Sequence, residues 1–164
     1  MIQDNFIKVG MADLNVAHLT GVLKTTGLGS CVGLTLYDSK AHIAGMAHVM
    51  LPDSEIAREG KLNIAKYADT AIPEMIAKMQ AMGADIKRLE AKMAGGAQMF
   101  AFSSSSDTMR IGPRNVESCK HMLKQYAIPI KAEDTGGNYG RTIEFNCETG
   151  VLLIRSVLQG IKEL

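Results

Sequence analysis

At 164 residues the chain has room for one domain with a sizeable core, and no shift in composition marks a second. Its 18 basic and 17 acidic side chains are scattered for a net charge of +1, which leaves no electrostatic footprint for nucleic acid and no polybasic membrane patch. Tryptophan is absent and aromatic residues make up 5%, which argues against a base-stacking platform. The opening Met1-Ile2-Gln3-Asp4-Asn5 lacks the basic start and apolar run of a signal peptide, and no stretch approaches a membrane span. The expectation is a cytoplasmic, single-domain protein, not membrane-inserted. Cys31, Cys119 and Cys147 are too few and too dispersed for a disulfide framework, and no CxxC or HxxxH spacing suggests a metal.

Phe6 to Met11 and Gly21 to Thr26 read as short strands joined by a polar segment that contains Asn15 and His18. A hairpin follows. Cys31 to Tyr37 forms its first strand, Asp38-Ser39-Lys40-Ala41 its turn, and His42 to Leu51 its return. Symmetric pairing about Ser39-Lys40 sets Tyr37 opposite His42 and Cys31 opposite His48, with Cβ atoms roughly 4.5–5.5 Å apart on one face. A thiol beside an imidazole is the arrangement of a cysteine nucleophile with its base. The plainer reading is a buried cysteine and a core histidine, and a one-residue slip would turn His48 to the other face. Gly27-Leu28-Gly29-Ser30 before Cys31 favours the chemical reading, since it opens a close approach for a substrate and offers backbone N–H groups to an oxyanion. His42 and His48 could share a strand face, but six residues separate them by about 20 Å, too far to chelate one ion. His18 and His121 read as surface residues.

The nearly continuous apolar run Ile43 to Leu51 predicts an inner strand covered on both faces, ended by Pro52-Asp53-Ser54. From Leu62 to Met82, apolar residues at helical spacing predict a long helix or two, with a kink or break where Pro73 falls. Leu89 to Met93 reads as a strand, with a possible continuation through Gln98 to Phe102 and then a loop, Ser103 to Asp107. Phe100 and Phe102 would share a face there, as core residues or as an interface anchor. Gly112-Pro113 opens a second helix whose stripe of Val116, Cys119, Leu123 and Tyr126 makes Cys119 a core residue. A strand near Ile130, a turn at Gly136-Gly137-Asn138 and a hairpin from Arg141 to Val157, turning at Cys147 to Gly150, complete the chain. Cys147 has no histidine near it in sequence. Strands grouped around two helices without regular alternation predict an α+β fold.

The blocks Leu28-Gly29-Ser30-Cys31-Val32 and His48-Val49-Met50-Leu51-Pro52-Asp53-Ser54 resemble the chemoreceptor glutamine deamidase family, CheD. Similar family blocks follow in family order at Lys66 to Ala71, Ala91 to Ala97, Ile111 to Val116 and Asp134 to Arg141, so the resemblance covers nearly the whole chain. It implies a cysteine hydrolase that converts glutamine side chains of methyl-accepting chemotaxis receptors to glutamate with release of ammonia. It also implies a layered α/β/β/α sandwich of mixed, largely antiparallel strands, similar to the catalytic domains of deamidating toxins. By position the family nucleophile falls on Cys31, its histidine on His48 and its supporting threonine on Thr25, with Thr26 adjoining. The resemblance further implies a CheC-type phosphatase as partner, and the chemistry asks for no metal or organic cofactor. Two other readings stand beside this one: a regulatory module that activates the phosphatase while Cys31 is vestigial, and a transglutaminase. No acceptor-amine site is visible in the sequence, which ranks the transglutaminase last.

Overall fold

The computed structural model of the protein describes residues 6–54, 62–99 and 110–164. Ten strands and two α-helices are defined among them: β1 (Phe6–Lys8), β2 (Leu14–His18), β3 (Val22–Leu28), β4 (Val32–Asp38), β5 (Ile43–Val49), α1 (Ala68–Ala81), β6 (Glu90–Gly95), α2 (Ile111–Gln125), β7 (Ile130–Thr135), β8 (Arg141–Asn146), β9 (Leu152–Ser156) and β10 (Gly160–Glu163). They form two five-stranded sheets, β1-β3-β8-β9-β10 and β2-β5-β4-β6-β7. Only β1 with β3 and β6 with β7 pair in parallel; the other neighbours are antiparallel. The fold is therefore α+β with mixed, largely antiparallel sheets, as expected. Of the helical layers that the resemblance implies, the described residues supply one, formed by α1 and α2 over the second sheet.

Alternation along the strands builds two cores. Val32, Leu34 and Leu36 of β4 and Ile43, Ala47 and Val49 of β5 pack with Ile72, Met75 and Met79 of α1 and with Cys119 and Leu123 of α2. On the opposite face, Tyr37, Ala44 and Met46 meet Leu23, Ile143, Phe145, Leu152 and Ile154 of the first sheet. Tyr37 and Phe145 touch there edge to face, with ring centroids 5.2 Å apart. Because β4 and β5 are covered on both faces, all of their residues are buried.

Several expectations need correction. The segment around Asn15 is strand β2, not a polar connection: Leu14 and Val16 pack on the helix-side core, and Ala17 faces the other sheet. The first helix begins at Ala68 and not Leu62, after a single 3₁₀ turn, Ile64–Lys66, started by the Asn63 carboxamide accepting from Ala65 N at 3.2 Å. Pro73 is accommodated inside this helix. β10 was not foreseen. Phe100, Phe102 and the segment Ser103 to Asp107 lie outside the described residues.

The hairpin register also differs from the symmetric one. Asp38 pairs with Ile43, Leu36 with Gly45 and Gly33 with His48, a shift of two residues. Asp38 causes it. Its Oδ1 accepts from Lys40 N and Ala41 N, each at 3.1 Å, and its Oδ2 from Asp85 N at 2.9 Å, while Arg88 donates from Nε at 2.9 Å and Nη2 at 2.8 Å. This cap moves the four-residue turn one position along the chain, to residues 39–42, where it is closed by His42 in the left-handed region, φ 52°. Burial alone would raise the Asp38 carboxyl, but its bonds to Arg88 and to the Asp85 and Ala41 amides outweigh that and bring it from 3.8 down to about 2. The stabilisation is complete above pH 3.8 and is lost as the pH falls towards 2. Asp38→Ala is expected to cost about 2 kcal/mol, since it leaves three backbone amides without their acceptor and Arg88 with Asp85 alone. A urea midpoint unchanged by Asp38→Ala would refute this account of the turn.

Candidate active site

The register shift preserves the face while moving the partner. Gly33, not Cys31, stands directly opposite His48, and Cys31, two residues earlier, is its diagonal neighbour. Diagonal residues on one face are about 7–8 Å apart at the backbone, within reach of longer side chains. Cys31 lies just before β4 in the inter-sheet core and is 8% exposed, whereas His48 is fully buried. Glycine at position 33 lets Ile143 and Leu28 pack directly against the β4 backbone. A Cβ at that position would stand 2.5 Å from Ile143 Cδ1 and 2.9 Å from Leu28 Cδ1.

Thr25 reaches His48 from the facing sheet. Its hydroxyl oxygen lies 2.7 Å from His48 Nδ1, a bond that spans the two layers. Leu23 and Thr25 point into the interior while Thr26 is exposed, so alternation along β3 selects Thr25 and not its neighbour. With Nδ1 engaged by Thr25, His48 Nε2 is buried and has no hydrogen-bond partner among the described residues. A buried ring nitrogen left in that state invites a functional explanation.

The turn that carries Cys31 is held by β6 and α2. Gly96 N donates to Cys31 O at 2.8 Å and Ala97 N to Gly29 O at 2.9 Å. Gly95 takes φ 106°, and a Cβ there would run into the Cys31 carbonyl, so only glycine allows this approach. On the other side, Asn115 of α2 donates from Nδ2 to Ser30 O at 3.0 Å and to Met50 O at 2.9 Å. Asn115 is a residue that sequence reasoning passed over. Its signal is a polar side chain at a buried helix position, in the series Gly112, Asn115, Cys119, Leu123.

Burial sets the electrostatics. Desolvation pushes the Cys31 thiol above its ordinary 9.0, partly offset by a hydrogen bond from its own backbone amide. Desolvation likewise holds His48 below its ordinary 6.5, against the opposing pull of Asp13. At neutral pH the resting pair is thus a neutral thiol and a neutral imidazole. Cys119 and Cys147 are pushed further, to about 12 and about 11, by burial. Cys119 sits in the helix-side core as expected. His42 does come near Cys147, with Nδ1 3.2 Å from its carbonyl oxygen, which also accepts from the Tyr37 hydroxyl at 2.6 Å. Among the described residues, no group of His, Cys, Asp and Glu could hold a metal ion.

These features define a class: a two-sheet α+β domain with a cysteine, a histidine and a threonine gathered between its sheets, at the end of the central hairpin. Residues 50–156 match the family described as CheD chemotactic sensory transduction, and the chain belongs to that family. It is 56% identical over 161 residues to the chemoreceptor glutamine deamidase CheD of Halalkalibacterium halodurans, covering 98% of this chain and 99% of that protein. It is 51% identical over 158 residues to the chemoreceptor glutamine deamidase CheD of Bacillus subtilis, covering 96% and 95%. Its identity to the probable chemoreceptor glutamine deamidase CheD of Geobacillus kaustophilus is 54% over 159 residues, 96% of each chain.

Proposed function

We propose that this protein deamidates glutamine side chains of chemoreceptors, with Cys31 as nucleophile, His48 as base and acid, and Thr25 holding the imidazole. The names of its full-length relatives support the substrate class. One observation carries the mechanism: His48 is buried with Nδ1 on Thr25 and Nε2 unpartnered, on the sheet face it shares with Cys31. In the tautomer where Nδ1–H donates to Thr25, Nε2 presents its lone pair. It takes the thiol proton as sulfur bonds to the carboxamide carbon, and backbone N–H groups beside Cys31 meet the oxyanion. The imidazolium returns that proton to the amide nitrogen, the C–N bond breaks, and ammonia leaves a thioester. Water, deprotonated by Nε2, then releases glutamate and restores the thiol. Since the resting pair is neutral, the proton moves during attack and not before it.

Association with a CheC-type phosphatase, and action on the cytoplasmic part of the receptors, belong to the same proposal and rest on the family resemblance. No described helix is long and apolar enough to cross a membrane. Mass spectrometry of a receptor incubated with the protein tests the activity: particular glutamines should become glutamates. Folded protein that leaves every receptor glutamine intact would overturn it. Co-purification with the phosphatase tests the partner.

A further inference from the structure

Asn115 is a buried polar residue on the inward side of α2. Its two Nδ2 bonds go to the carbonyl just before Cys31 and to the carbonyl two residues after His48. The β4–β5 ladder ends at Val32 and Val49. Asn115 therefore joins the two strand ends beyond their last pair, two residues before Val32 and one after Val49, using a side chain where the backbone ladder has stopped. The orientation of the amide is fixed, since a flip would set Oδ1 against two carbonyl oxygens. Oδ1 itself is buried without a partner among the described residues, so the residue is kept for its donors. The helix cannot easily shift: a Cβ at Gly112 would meet the Ala97 carbonyl and lie 2.7 Å from the Gly96 carbonyl oxygen. The amides of those same two residues hold the Cys31 and Gly29 carbonyls.

We infer that Asn115 is a positioning residue, which sets the separation of Cys31 from His48 by tying the glycine-rich turn to the end of β5. The inference rests on Cys31 and His48 acting as nucleophile and base. Bonds from Gly96 and Ala97 anchor the turn towards β6, and Asn115 supplies the tie towards β5. Without it, the thiol is free to drift from Nε2, and a misplacement of about 1 Å can cost on the order of a hundredfold in rate.

The test compares wild type with Asn115→Leu, which keeps the approximate volume and loses both donors without adding a charge, and with Asn115→Ser. Three quantities are read: kcat and KM on receptor, the pH dependence of Cys31 alkylation by iodoacetamide followed by peptide mass spectrometry, and hydrogen exchange of the wild-type Asn115 side-chain amide by NMR. The expected result is kcat lowered about tenfold to a hundredfold with KM within about twofold. The alkylation profile of Cys31 should move along the pH axis, which a merely structural loss would not cause. The Asn115 amide should exchange far more slowly than that of exposed Asn138, and alkylation of Cys31 should shift its resonances. Folded variants with wild-type kcat and alkylation profile overturn the inference. If neither variant folds, the NMR arm decides: slow exchange with a shift on alkylation supports it, and exchange like Asn138 overturns it. Should the wild type fail to deamidate receptor while the variants still move the alkylation profile, the functional reading fails and the positioning role stands.

Discussion

Cys31→Ala is expected to abolish receptor deamidation, by at least about a thousandfold, while leaving the protein folded. The size of the loss follows from the role: without sulfur no covalent intermediate forms, and water must attack an unactivated carboxamide. The fold should survive because the change removes one atom at the rim of the inter-sheet core, a loss of about 1 kcal/mol. The β6 and Asn115 contacts that fix this turn reach backbone carbonyls, which alanine retains. Cys119→Ala serves as the opposite control, since Cys119 packs among apolar side chains of the helix layer and should affect stability without touching the chemistry. Deamidation by folded Cys31→Ala at the wild-type rate would remove the cysteine mechanism. The regulatory module would be the remaining reading only if the wild-type protein, too, left receptor glutamines intact.

The sequence carried the faces of this site better than its pairings. Period-two patterning fixes which side of a strand a residue takes, and a shift of two residues leaves that side unchanged, so Cys31 and His48 still share a face although Gly33 holds the opposite position. What symmetry about Ser39-Lys40 overlooked was Asp38, a turn-capping carboxylate whose acceptors hold the four-residue loop one position further along the chain. That signal was present in the residue type, but its partners Asp85 and Arg88 are distant in sequence. Strand β2 was legible in the alternation Leu14-Asn15-Val16 and was obscured by its polar residues. β10 was not, because all four of its residues are exposed and carry no buried face to pattern. Thr25 came from the resemblance. Its contact with His48 is formed by the stacking of two sheets, which no local pattern records.

The pH profile of deamidation should be flat between the ordinary values of the two groups and fall on both sides. Between them the pair holds one proton, and moving it from sulfur to Nε2 exchanges no proton with solvent, so the reactive fraction does not depend on pH. Below pH 6.5 solvent protonates His48, and because burial lowers its folded value the acid limb lies further down still. Above pH 9.0 solvent deprotonates Cys31, with the limb displaced upward by the same cause. The linkage signs agree: a depressed histidine contributes stability above 6.5 that is lost on acidification, and a raised thiol contributes stability below 9.0 that is lost at alkaline pH. His48→Asn removes the internal base and should lower the neutral rate about a hundredfold to ten-thousandfold. What remains should no longer be flat; it should rise with pH as solvent alone generates the thiolate, up to and beyond 9.0. Values of kcat/KM across this range, with melting temperatures at each pH to exclude unfolding, decide the matter. A wild-type limb inside the 6.5 to 9.0 interval would mean a pre-formed thiolate–imidazolium pair, contrary to what burial of both groups requires.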